Sequence, residues 1–149
     1  MTSSISTMSG TRPQKSISID KFRKTNPLLV DVRSPKEFNQ GHWPGATNLP
    51  VFDDIHRAKI GTTYKKEGRE KAILLGLKLI GPRLDSIKDS IKKLSSNKQN
   101  EEISCSKDRK LLGIYCWRGG LRSASMAWLS NLLGYDYVLL RGGYKAYRK

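Results

Sequence analysis

The sequence predicts an α/β domain built on a parallel sheet, and three observations predict it. Pro27-Leu28-Leu29-Val30-Asp31-Val32-Arg33 is a run of consecutive apolar residues ending in charge, the pattern of a strand buried on both faces. Leu111, Leu112, Ile114 and Tyr115, with Gly113 among them, make a second buried strand. Each is followed by a helix signal, so strand and helix alternate as in a parallel sheet flanked by helices.

Taken in order, Met1 to Gln14 is rich in Ser and Thr and has no periodicity, so residues 1–15 are expected to form a flexible leader. Ile17 and Ile19 alternate with Ser16 and Ser18, a short first strand, and Asp20 is placed to cap a helical turn through Phe22 and Lys24 that Pro27 ends. After the strand at 27–33, Ser34-Pro35-Lys36-Glu37 starts a helix. Ser34 is the N-cap, Pro35 the first helical residue, and Glu37 closes a capping box. Gly41 stops that helix, His42-Trp43-Pro44-Gly45-Ala46 turns, and Thr47-Asn48-Leu49-Pro50 is a short strand. In the middle, Ala72, Ile73, Leu77 and Ile80 share one helical face, which Gly81-Pro82 ends. Leu84, Ile87, Ile91 and Leu94 give a second amphipathic helix, and both are expected to cover the core. Ser95 to Lys110 reads as a polar, charged loop.

The chain has 149 residues, enough for one domain with a full core. Its formal net charge is +15, from 28 Lys and Arg against 13 Asp and Glu. Such an excess favours a polyanionic partner, with nucleic acid as the default expectation. Two cysteines, Cys105 and Cys116, make no disulfide framework and suit a reducing, cytoplasmic compartment. No apolar stretch approaches a membrane span, so no membrane partner is expected. His42 and His56 have no metal-ligand spacing with the cysteines, and no metal is expected.

Tyr115-Cys116-Trp117-Arg118-Gly119-Gly120-Leu121-Arg122-Ser123 carries the chemistry. Cys116 would lie at the carboxyl end of a strand, in a tight loop that opens into a helix over Ser123 to Leu133, stopped by Gly134. Gly119 and Gly120 allow successive N–H groups to turn inward as an anion nest, and Arg118 and Arg122 add full charge. A cysteine in such a cradle is expected to react as a thiolate nucleophile rather than to pack as a buried thiol. Ser123 either bonds the sulfur or caps the helix. Trp117 either stacks on a base or prenyl chain, or shields the thiolate from water. Asp31 and Arg33 either orient the arginines of the loop or pair only with each other.

Asp31-Val-Arg-Ser-Pro-Lys-Glu-Phe-Asn-Gln-Gly-His-Trp-Pro-Gly-Ala-Thr-Asn-Leu-Pro50 resembles the front signature of rhodanese-like sulfurtransferase domains. Arg141-Gly-Gly-Tyr-Lys-Ala-Tyr147 resembles their closing strand-to-helix turn, and Cys116 falls where that family carries its persulfide-forming cysteine. The resemblance implies a single domain over residues 16–149, a sheet of about five parallel strands, and a helical insert at about 56–110. The insert, together with Cys116-Trp-Arg-Gly-Gly-Leu-Arg-Ser123, resembles the N-terminal part of the tRNA 2-selenouridine synthase family. That resemblance implies a transferase that replaces the sulfur of a geranylated wobble 2-thiouridine of tRNA by selenium. Selenophosphate and geranyl diphosphate are the implied co-substrates, no cofactor is bound, and Cys116 is the nucleophile or selenium carrier. Trp117, Arg118, Gly119, Gly120, Leu121, Arg122 and Ser123 would form the anion-binding loop, supported by Asp31 and Arg33. In that family a second domain with a phosphate-binding loop follows. No Gly-x-x-x-x-Gly-Lys-[Ser/Thr] pattern occurs here, so a missing domain or a separate chain is expected to supply it. Three alternatives stand beside this reading. One is a general sulfurtransferase carrying a cysteine persulfide. Another is a phosphatase or arsenate reductase, from the Cys-x5-Arg spacing of Cys116 and Arg122, and the third is a tRNA-docking module without chemistry.

Overall fold

A computed structural model describes residues 16–96 and 111–149. Five strands form one sheet: β1 (Ser16–Ile17), β2 (Leu28–Asp31), β3 (Thr47–Asn48), β4 (Leu112–Tyr115) and β5 (Tyr137–Leu140). All pairs are parallel, in the order β1-β5-β4-β2-β3, so β4 is the central strand. All four β4 residues are buried, as a strand covered on both faces requires.

Helices α1 (Ile19–Thr25), α2 (Pro35–Gln40), α3 (Asp54–Glu67), α4 (Arg69–Ile80), α5 (Leu84–Ser95), α6 (Leu121–Leu132) and α7 (Gly143–Tyr147) complete the described fold, with a 3-10 turn at Gly81–Arg83. Two layers of core result. Val30, Val32, Ile114, Met126 and Leu139 pack with Ile87 and Ile91 of α5. On the other face, Phe22, Tyr115, Val138, Leu140 and Tyr144 pack with Trp43 and Tyr147. Trp43 stacks on Tyr147 at 4.3 Å between ring centroids, a packing role.

Several sequence expectations change in detail. The cap of α1 is Ser18, whose side chain accepts from the Lys21 N–H at 3.4 Å; Asp20 lies inside the first turn. Asn26, left-handed at φ 46, ends α1 one residue before Pro27. Helix α6 begins at Leu121, two residues before the expected Ser123, and its N-cap position is Gly120. The middle region holds three helices rather than two. Helix α3 has no buried residue and no amphipathic pattern, so periodicity had nothing to detect. Helix α4 covers the core only in part: of its apolar stripe, Ile73 and Leu77 are 37% and 63% exposed. They face a groove of about 650 Å³ that Phe52, Tyr64 and Trp128 also line. Helix α5 does cover the core, through Ile87 and Ile91. Residues 97–110, including Cys105, and the leader at 1–15 lie outside the described residues. Among those described, no helix is long and apolar enough to cross a membrane.

Candidate active site

Because β4 is central, the loop leaving its carboxyl end has walls on both sides, supplied by the segments after β2 and β5. Cys116 is the first residue of that loop and is 2% exposed. Three hydrogen bonds close a ring around its sulfur. The Gly120 N–H donates to Sγ at 3.2 Å, the thiol donates to Ser123 Oγ at 3.2 Å, and the Ser123 hydroxyl donates to the Gly120 carbonyl at 3.1 Å. Ser123 is 1% exposed and stands in the first turn of α6, so it bonds the sulfur and does not cap the helix. Rotation of its hydroxyl after proton loss would turn it from acceptor into a second donor to the sulfur.

The loop is held from behind by the turn after β5. The Tyr144 N–H donates to the Cys116 carbonyl at 2.8 Å, and the Lys145 N–H donates to the Trp117 carbonyl at 2.9 Å. This approach requires Gly143, which is left-handed at φ 61. A Cβ there would fall onto the Cys116 carbonyl oxygen and lie 2.7 Å from the Trp117 carbonyl oxygen and 2.8 Å from the Gly119 nitrogen. Gly143→Ala is expected to cost about 2–5 kcal/mol, from a backbone penalty of about 1–2 and overpacking of about 1–3. Urea denaturation reads it, and an unchanged midpoint would show that the turn yields freely.

Asp31 and Arg33, 0% and 3% exposed, pair with each other. The Arg33 Nη2 donates to Asp31 Oδ2 at 2.7 Å and to the Gly41 carbonyl at 2.7 Å. Its Nε donates to Asp31 Oδ1 at 3.1 Å, and its backbone N–H donates to the same oxygen at 2.9 Å. Burial opposes the charge of Arg33, but the hydrogen bonds and charge of Asp31 more than offset it, so its pKa lies above the ordinary value. Neither residue bonds Arg118 or Arg122. The guanidinium instead lies 4.2 Å from the Tyr144 ring centroid, so the pair braces the turn behind the loop. Tyr115 is fully buried beside the same pair, and burial followed by the Asp31 charge raises its phenol pKa.

Arg118 is exposed, and its guanidinium has no partner among the described residues. Arg122 is engaged: it donates to Glu37 Oε1 at 2.7 Å and to Oε2 at 3.3 Å. Arg57 adds a second cation, 3.4 Å from Oε1. Glu37 therefore does two things. It closes the capping box, accepting from the Ser34 N–H at 3.3 Å and hydroxyl at 3.0 Å, and it ties α2 to the first turn of α6. Sequence reasoning saw only the first role; the second needed the knowledge that β2 and β4 are neighbours. Burial opposes the Glu37 charge, and Arg122 and then Arg57 outweigh it, so its pKa lies below the ordinary value. A lowered carboxylate stabilises the fold above its unfolded pKa of about 4.3 and loses that stabilisation as pH falls through the folded value. The helix-to-loop tie should thus hold at neutral pH and fail in acid below about pH 4. Glu37→Gln should flatten this acid limb of a stability-against-pH profile; an unaltered limb would assign it to other carboxylates.

Leu121, first residue of α6, is 53% exposed. Trp117 is half-buried and tilts against Tyr144 at 6.2 Å. His42 stacks on Phe38 at 3.6 Å, with Nδ1 2.9 Å from the Phe38 carbonyl oxygen, and the His56 N–H caps α3 on Asp53 at 2.7 Å. Among the described residues, no group of three or more His, Cys, Asp or Glu side chains is placed to hold a metal ion.

A five-stranded parallel sheet with a cysteine loop at the end of its central strand, braced by a Gly-Gly turn, defines an α/β domain with its candidate site at the carboxyl ends of the strands. The chain belongs to the rhodanese-like domain family, whose profile it matches over residues 18–149. Within that family it is similar to the tRNA 2-selenouridine synthases of Ectopseudomonas mendocina and Bordetella petrii. It is 38% identical to the first over 87% of this chain and 32% of that protein, and 42% identical to the second over 85% and 31%. The chain therefore spans about a third of the length of these curated relatives. Among solved structures it resembles the N-terminal domain of a protein of Clostridium difficile 630 described as an ATP/GTP binding protein. That likeness has 34% identity and a TM-score of 0.75, covering 89% of this chain and 95% of that one. A rhodanese-like domain protein from Staphylococcus aureus, 22% identical with a TM-score of 0.51 over 90% and 91% of the two chains, shares the fold.

Proposed function

We propose that this domain works in the replacement of sulfur by selenium at the wobble 2-thiouridine of tRNA, through Cys116. The observation that carries the reading is the likeness to tRNA 2-selenouridine synthases across the cysteine loop and the helical insert alike. The chemistry it supports is redox-neutral displacement. The Cys116 thiolate attacks C2 of the S-geranylated base, a C2–Sγ bond forms, and the geranyl thiolate leaves and takes up a proton. Selenium of selenophosphate then displaces Sγ, forming C2–Se, and hydrolysis of the P–Se bond releases phosphate and 2-selenouridine. The Gly120 N–H and the Ser123 hydroxyl stabilise the sulfur as it accepts charge each time it leaves. Arg118, exposed and unpaired among the described residues, is free to meet the phosphoryl oxygens of the donor. Arg122 is held by Glu37 and acts by fixing the start of α6. The alkylation step, which consumes geranyl diphosphate and releases diphosphate, is assigned to a phosphate-binding-loop domain or chain, since this sequence has no such loop. The net charge of +15 suits tRNA as partner, with affinity that falls as salt rises.

The test supplies an RNA already geranylated at 2-thiouridine, together with selenophosphate, and analyses the nucleosides by mass spectrometry. Appearance of 2-selenouridine supports the reading, and an unchanged geranylated base overturns it for this chain. One observation favours a second reading: a cysteine 2% exposed, with a single backbone donor to its sulfur, suits storage of one atom. In that case thiosulfate would yield a Cys116 persulfide as an S–S bond forms and sulfite leaves, and intact mass would rise by one sulfur. The Cys-x5-Arg phosphatase reading loses its clamp, because Arg122 faces Glu37; turnover of a generic aryl phosphate would restore it.

A further inference from the structure

A second cavity, of about 410 Å³, opens beside the cysteine loop at the carboxyl ends of β2, β4 and β5. Its wall holds Trp117 and Tyr144 as aromatic surface, Arg33, Arg57 and Arg148 as cations, the Glu37 carboxylate, whose charge Arg57 and Arg122 offset, and Gln40 and Gly41. The volume lies within the roughly 300–1,000 Å³ typical of small-ligand pockets. Tyr144 is 9% exposed and fixed from beneath by Arg33, so it is a rigid wall rather than a mobile lid. Trp117 leans against it and is only half-buried. Arg57 is 51% exposed, and Arg148 is exposed at the chain surface.

Apolar rings and guanidinium groups at one mouth match the two halves of a nucleotide. A base finds a face to stack on, and a phosphate finds donors of fixed fork geometry. The groove at α4 and α6, which is larger, is lined mostly by apolar side chains. We propose that this cavity is a nucleotide site of an RNA strand. One unstacked nucleotide enters it, with the base on Trp117 and the flanking phosphates on Arg57 and Arg148. A base taken out of its stack in this way stands next to the residue that follows Cys116, which is where an enzyme acting on a base must bring it. The inference rests on the preceding reading for which base enters, and on the cavity alone for the class of ligand.

The test is equilibrium binding of a labelled RNA hairpin, with uridine in its loop, to the whole 149-residue chain and its variants. Trp117→Leu should weaken binding by about tenfold, the scale of one lost base stack, and Trp117→Phe should restore most of it. Arg148→Ala should weaken binding for every loop sequence and reduce the slope of log affinity against log salt by about one. Uridine monophosphate should compete only weakly, because it lacks the neighbouring phosphates; competition as strong as that of the hairpin would make this a free-nucleotide site and overturn the RNA assignment. Wild-type affinity and salt slope in both Trp117→Leu and Arg148→Ala would place RNA on another surface and overturn the proposal, as would absence of binding by the parent chain. A chain that binds through these residues yet leaves the geranylated base unchanged supports the cavity and overturns the displacement chemistry.

Discussion

Serine in place of Cys116 should lower conversion of the geranylated base by about a thousandfold or more, the scale on which loss of a nucleophile acts. The substitution is close to isosteric, and the new hydroxyl can still receive the Gly120 N–H and bond Ser123. Fold and RNA binding should therefore persist, which separates chemistry from structure. What disappears is the polarizable sulfur nucleophile, since an alcohol at the same place is a weaker nucleophile and a poorer leaving group from C2. Nucleoside analysis gives the rate, and a thermal melt gives the control. Conversion at the parent rate by Cys116→Ser would assign the reaction elsewhere and leave a docking module. Conversion lost together with the melt would instead show that the thiol is structural.

Asp31→Ala should be the most destabilising of the single changes considered, by about 3–5 kcal/mol, the usual cost of leaving one member of a buried ion pair alone. Arg33 is 3% exposed, and Asp31 accepts from its Nε, its Nη2 and its backbone N–H. Removing the carboxylate leaves a guanidinium that cannot deprotonate, with the Gly41 carbonyl as its remaining hydrogen-bond acceptor among the described residues. Typical domains have about 5–15 kcal/mol in all, so a melting temperature lower by roughly 10 °C is expected. Asp31→Asn keeps an acceptor and should lose less. The predicted order is parent, Asn, then Ala; an Ala variant as stable as the parent would mean that Arg33 swings out to solvent. Because Arg33 also carries Tyr144, the same variant should disturb the wall behind the cysteine loop.

Much of this molecule was legible in its residues. Strands β2 and β4 announce themselves because apolar residues run consecutively through them, up to Asp31 in β2, and no register is needed to see them. The start of α2 was legible from Ser34, Pro35 and Glu37 because capping is local chemistry. The placement of Cys116 between strand β4 and helix α6 was legible for the same reason, because the apolar run, the glycines and the helix pattern are neighbours in the chain. Helix α3 was not legible, because a helix without a buried face has no periodicity to read.

What the sequence by itself determined is the α/β class, the strand that presents Cys116 and the helix that follows its loop, since each depends on residues near one another in the chain. Tertiary structure alone decided which partner each charged or polar group takes. Arg122 goes to Glu37, 85 residues away; Asp31 goes to Arg33 and not to the loop arginines; and Ser123 goes to the sulfur and not to the helix end. Those choices turn on the order of strands across the sheet, which brings the ends of β2, β4 and β5 together. Hydrophobic pattern records whether a strand is buried and not which strand lies beside it, so pairing among distant charges is settled only when the sheet assembles.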